Sequence, residues 1–194
     1  FIKNNNNYTY YEINGADSIL QLHHDNQYDT YNISFSPYSK SWNQLYVEVF
    51  SIKINDKIWD VDEIKKYDPN FSGLLDTGSD YAFWTLPDKI YDTIKGQKIN
   101  SPPEMGNVSC IKIIGDIEIS FKSSKGPNYN YTYTADDASY QTLIFSHSNA
   151  QTLKFATPGI NVGSSFFIDN ALQIEHRRQG ELLNTPNIYL KSLK

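Results

Sequence analysis

Apolar and polar residues alternate along much of this chain, and that alternation predicts strands. Leu45, Val47 and Val49 are separated by Tyr46 and Glu48, the period-two pattern of a half-buried strand. Ser51-Ile52-Lys53-Ile54 carries it into an Asn55-Asp56 turn, and Ile58-Trp59 returns as a hairpin partner. Ile117, Ile119 and Phe121 alternate again, with Lys125-Gly126-Pro127-Asn128 as the turn before Tyr129 to Thr134. Short turn-bounded runs from Ile19 to Leu22 and from Thr30 to Phe35 predict two more strands. One helix is expected, over Asp88 to Lys95. Pro87 and Asp88 suit its first turn, Ile90 and Ile94 share a face, and Gly96 closes it. The reading is all-β with one or two short helices. A single domain spans 16–183. Residues 1–15, with the polar run Asn4 to Asn7, read as a linker or extended N-terminal segment, and 184–194 as a C-terminal tail.

Composition agrees with that class. Hydrophobic residues make up 39% of the 194 positions and charged residues 20%, which is globular rather than disordered. Fifteen Tyr, ten Phe and three Trp favour strands. A net charge of −5 argues against nucleic acid or an anionic membrane as partner. No apolar run approaches the roughly 20 residues of a membrane-spanning helix. The chain opens at Phe1 without a signal-peptide pattern, which reads as a trimmed or processed product.

A lone cysteine, Cys110, excludes an internal disulfide framework and a cysteine-rich zinc site. Its neighbours Val108, Ile111 and Ile113 predict a strand and a buried, free thiol, with pairing to a second chain as the alternative. Five triplets, beginning at Asn7, Asn32, Asn70, Asn107 and Asn130, fit the glycosylation acceptor pattern. They point to a glycoprotein on a secretory route.

The segment with chemical content is Gly73-Leu74-Leu75-Asp76-Thr77-Gly78-Ser79. Two aliphatics deliver an Asp into a tight turn, where Gly78 permits close backbone approach. The Thr77 and Ser79 hydroxyls can hydrogen-bond carboxylate or backbone. On these residues alone an ordinary strand-to-turn junction fits equally well. Elsewhere the readings are plain. His23 and His24 beside Asp25 point to opposite faces of a strand, which disfavours a shared metal. Neither a metal nor a cofactor is expected. His147 and His176 have no Ser or Cys nucleophile motif near them. Arg177-Arg178 reads as a solvated hairpin tip and Asp136-Asp137 as an exposed turn. Gly159, Gly163 and Ser164 lack the glycine spacing of a phosphate loop.

With its surroundings, the Asp76 segment resembles the second catalytic loop of the pepsin-like aspartic proteases. The Leu86-Pro87 helix follows at the family's distance. Ser18 to Leu22 with Asp25 and Tyr31 resembles the strand that opens their C-terminal lobe. Leu45 to Val49 and Ile52 to Asn55 resemble the approach to the catalytic loop. Asn161-Val162-Gly163-Ser164-Ser165-Phe166-Phe167 resembles the strand that threads beside it, and Ile174 to Gly180 the closing hairpin. The resemblance runs from about Ala16 to Leu183. The chain departs from it at Asp80, where a second Ser or Thr is usual, and at His23-His24, where two glycines are usual. It departs again at Asn161, usually aliphatic, and at Ser164, often Asp. Cys110 stands where the lobe commonly has half of a disulfide, without the other half.

The resemblance implies a pepsin-like lobe that contributes Asp76 to a carboxylate dyad hydrolysing peptide bonds. Thr77 would support the dyad, Gly78 and Ser79 would contact substrate, and Ser79 would orient the carboxylate. No second Asp-Thr-Gly or Asp-Ser-Gly occurs in the chain, so the N-terminal lobe must supply the other Asp. Three arrangements fit: one chain of a two-chain or truncated endopeptidase, an inactive relative that keeps the fold for binding, or a self-complementing homodimer. For the first, the partners are that N-terminal lobe and a peptide or protein substrate. The setting is secretory, with secretion or an acidic lysosomal or vacuolar compartment as destination.

Overall fold

The computed structural model describes residues 10–15, 19–23, 31–34, 36, 45–79, 82–113, 116–133, 142–153, 159–175 and 187–193. The first half holds strands Tyr10–Asn14 (β1), Ile19–His23 (β2), Tyr31–Ile33 (β3), Tyr46–Val47 (β4), Val49–Ile54 (β5) and Lys57–Asp60 (β6). Helix Val61–Lys65 (α1) leads to Gly73–Leu74 (β7) and Ala82–Leu86 (β8), then to helix Asp88–Tyr91 (α2). Gln97–Asn100 (β9), Ser109–Lys112 (β10), Ile117–Phe121 (β11), Ser123–Lys125 (β12) and Tyr129–Tyr133 (β13) follow. Thr142–Ser146 (β14), helix His147–Ala150 (α3), Gly159–Asn161 (β15), helix Ser165–Asp169 (α4), Asn170–Glu175 (β16) and Ile188–Ser192 (β17) complete the order. The chain is mostly β, as the alternation predicts.

Three sheets form. Their strand orders are β12-β3-β17-β16-β1-β2, β4-β7-β15-β8-β14-β10-β9 and β13-β11-β5-β6. The second one builds the site. Strands β7 and β8 are consecutive in the chain, yet β15 lies between them, parallel to β7 and antiparallel to β8. Strand β8 is also parallel to β14, so it is interior to the sheet and buried at every position. Trp84 and Leu86 face the main core, which also holds Phe121, Ile160, Val162 and Phe166. Phe83 faces a smaller core with Cys110, Leu143 and Phe145. A strand covered on both sides loses its alternation, which is why Ala82–Leu86 and Thr142–Ser146 carry no period-two signal.

Several expectations change. One or two helices become four short α-helices and a 3-10 turn at Pro103–Met105 among the described residues. Elements of four or five residues are too short to show a helical period. Helix α2 ends at Tyr91 rather than Lys95. There the Thr93 hydroxyl donates to the Ile90 carbonyl at 2.8 Å and the backbone tightens into i-to-i+3 bonds at Thr93 and Ile94. Gly96 is therefore no helix cap. A Cβ at Gly96 would stand 2.4 Å from Ile111 Cγ2, so close packing excludes a side chain.

The segments set apart as linker and tail also contribute strands. Tyr10–Asn14 pairs with both β16 and β2, and Ile188–Ser192 pairs with both β16 and β3, so both lie inside the first sheet. The β1–β2 pairing is local, but β16 lies far from β1 in sequence and β3 far from β17, and local pattern does not reveal those partners. In the 45–49 run Glu48 interrupts the strand, and Tyr46 is buried along with Val47 and Val49.

Candidate active site

The turn after β7 holds Asp76, Thr77, Gly78 and Ser79, and backbone bonds clamp it on both sides. Leu75 N–H donates to the Leu45 carbonyl at 3.0 Å. On the other flank Val162 N–H donates to Leu74 O at 3.1 Å, and Ser164 N–H to Ser79 O at 2.7 Å. Leu75 and Val162 are buried and anchor the two segments side by side, as the sequence motifs require. Asp76 is half-buried at the junction, while Thr77 and Gly78 are exposed beyond it.

Two donors hold the carboxylate. Gly78 N–H donates to Asp76 Oδ1 at 2.9 Å, and Asn161 Nδ2 donates to Asp76 Oδ2 at 2.9 Å. Asn161 is 1% exposed, so its amide has no solvent alternative. Its orientation is set from behind, because Gly163 N–H donates to Asn161 Oδ1 at 2.9 Å. A backbone N–H selects the amide oxygen and an ionised carboxylate selects the NH2, so both contacts demand the same rotamer. Gly163 takes a φ of 68°, which lets the chain turn back to make that bond.

Behind this loop stands a row of tyrosines on β13. Tyr133 donates its hydroxyl to the Val162 carbonyl at 2.8 Å, and Tyr131 to Asp169 Oδ2 at 2.7 Å. Tyr129 donates to Asn170 Oδ1. The Tyr129 ring stacks with Phe121, Tyr131 meets Tyr133 and Phe166 edge-on, and Phe166 in turn packs edge-on against Phe121 and Phe167. Burial pushes the Tyr133 phenol well above its ordinary range, so it stays a donor.

The sequence motifs thus bring Asp76, Thr77, Gly78 and Ser79 together with Asn161 to Ser164. Asn161 stands out in the sequence as a polar residue in an apolar motif position, yet its contact with Asp76 needs the fold to appear. Tyr133 carries no local signal beyond a strand pattern. Ser79 joins the arrangement through its carbonyl bond to Ser164. His147 Nε2 lies 3.3 Å from Asp68 Oδ2. The acceptor asparagines Asn70, Asn107 and Asn130 are exposed, whereas Asn32 is half-buried and donates to Asn187 Oδ1 at 3.3 Å. Cys110 is buried and free, and its burial raises the thiol to about 11. The readings placed on Asn7, His24, Asp25, Asp80, Asp136-Asp137, His176 and Arg177-Arg178 lie outside the described residues.

No family model and no curated protein matches the chain. Among the described residues no helix is long and apolar enough to cross a membrane.

Proposed function

We propose that this chain is the C-terminal lobe of a pepsin-like aspartic endopeptidase, contributing Asp76 to a two-carboxylate site completed by an N-terminal lobe. The observation that carries the reading is the Asp76 carboxylate itself. It is bonded at both oxygens, stands where β7 and the inserted β15 end side by side, and is followed by exposed Thr77 and Gly78. A carboxylate so oriented can meet a second one across a lobe interface.

Two carboxyls about 3 Å apart cannot both ionise, so they share a proton and titrate as a pair. The ionised member acts as general base on a water between them, and the protonated member polarises the scissile carbonyl. Thr77, exposed at the turn, supports the dyad by contact with the partner loop. The Gly78 N–H is engaged by Asp76, so Gly78 meets a bound peptide through its carbonyl, with Ser79 beside it. The substrate is a peptide or protein, and the setting is a secretory, acidic compartment. A binding protein of the same fold without activity is the second reading. Asn161 favours it, by filling one acceptor direction of Oδ2 with an amide.

The test is peptide cleavage between about pH 3 and 6 by the chain assembled with the N-terminal lobe. Activity is expected in that assembly and not in the chain alone. Asp76→Ala is expected to remove several orders of magnitude of rate with the fold retained. Full activity in Asp76→Ala ends the catalytic reading, inactivity of the intact assembly favours the binding protein, and activity of the pure chain favours a homodimer.

A further inference from the structure

The carboxylate contacts belong to a longer chain of hydrogen bonds with a single direction. Tyr133 O–H donates to the Val162 carbonyl, and the same peptide group donates its Gly163 N–H to Asn161 Oδ1. The Asn161 amide then donates Nδ2–H to Asp76 Oδ2. Phenol, peptide and side-chain amide are three dipoles in series: the phenol donates, and the peptide and the amide each accept at one end and donate at the other. The distances are 2.8, 2.9 and 2.9 Å. Tyr133, Val162 and Asn161 are 4%, 0% and 1% exposed, so water does not interrupt the series. In such a setting successive hydrogen bonds polarise one another in the same sense. All of the polarisation runs toward the Asp76 carboxylate.

We propose that Tyr133 and Asn161 are positioning residues for Asp76, acting through the Val162–Gly163 peptide as a buried relay that fixes the plane of the carboxylate and feeds hydrogen-bond donation to Oδ2. Neither residue touches substrate. Asn161 sets where Oδ2 points, and Tyr133 sets how strongly the peptide holds Asn161. The relay takes one acceptor direction of Oδ2 and the Gly78 N–H takes one of Oδ1. Its catalytic meaning rests on the peptidase reading, whereas its existence does not.

Two measurements separate these. In the 15N-labelled chain, the Asn161 side-chain amide protons are followed by NMR across the Asp76 titration. They are expected to shift with the same midpoint as the Asp76 carboxyl carbon, to lose that shift in Asp76→Asn, and to shift less in Tyr133→Phe. The phenylalanine keeps the ring and its packing, so retained backbone spectra show that the fold is intact. An Asn161 amide indifferent to Asp76, or unchanged by Tyr133→Phe, overturns the relay. In the two-lobe assembly, Asn161→Leu is expected to lower kcat by about 10- to 100-fold and Tyr133→Phe by about 3- to 10-fold, with KM unchanged. Equal kcat in both variants and the parent overturns the positioning role. An inactive parent assembly overturns the peptidase reading instead, and the amide titration then decides the relay by itself.

Discussion

Gly159 lies so near Ser72 that a Cβ on it would stand 2.1 Å from the Ser72 carbonyl oxygen and 2.9 Å from the Ser72 nitrogen. Its φ is +84°, and Ile160 N–H donates to the same Ser72 oxygen at 2.9 Å. This close approach seats β15 between β7 and β8 and so places Asn161 against Asp76. The site depends on an absent side chain.

Gly159→Ala is therefore expected to destabilise the chain by roughly 3 kcal/mol or more, since a backbone clash adds to the strain of positive φ. Gly126 has the same φ of +84° but nothing within 4 Å of its Cβ position. Gly126→Ala should cost only about 1–2 kcal/mol. Urea unfolding of the two variants measures the difference, and equal midpoints would contradict the close approach.

Asn161→Asp would set a second carboxyl against Asp76 across a present contact of 2.9 Å. Like charges at that distance force the pair to share a proton, raising one ionisation above the ordinary carboxylate range. The folded state then binds more protons than the unfolded one, so its stability falls as pH rises from about 4 through the raised value. Thermal unfolding from pH 4 to 8 should show a loss of about 2 kcal/mol or more relative to the parent. A pH-independent difference would show that the carboxyls do not meet.

Burial holds the Cys110 thiol protonated up to about 11. The native protein should thus react slowly with a disulfide reagent at pH 8 and quickly in denaturant. The folded pKa is raised above the unfolded value of about 8.5, so the folded state keeps a proton that the unfolded state releases. Stability is expected to fall between those values by about 1.4 kcal/mol per pH unit. Up to about pH 10, where unfolded tyrosines begin to titrate, that slope should vanish in Cys110→Ala.

Asp88 is held below the usual carboxylate range, first by the Ser148 hydroxyl and then by the Ser148 N–H at 3.0 Å. This depressed carboxyl stabilises the fold above the unfolded pKa of about 3.9, and the contribution is lost as pH falls through its folded value. Ser148→Ala should return the Asp88 midpoint toward the ordinary value, read from its carboxyl carbon by NMR. The pair is exposed, so neutral-pH stability should change little. An unmoved midpoint would remove the hydroxyl as the cause.

The sequence by itself determined the β character, through alternation at Ile117, Ile119 and Phe121 and the Asn55-Asp56 turn, where Asn55 indeed has positive φ. It also determined the Asp76 turn and the burial of Cys110, because turn chemistry and apolar neighbours act over a few residues. Tertiary structure decided the rest. Asn161 reaches Asp76 across 85 positions and Tyr133 reaches Val162 across 29, contacts that leave no periodic trace. Strand β8 hides its alternation because both of its faces are buried, and β1 and β17 look like ends until the distant strands β16 and β3 pair with them in turn. A side chain's hydrogen-bonding type is written locally. Which partner it meets is set by strand order, and strand order comes from cooperative, non-local burial of the sheet faces.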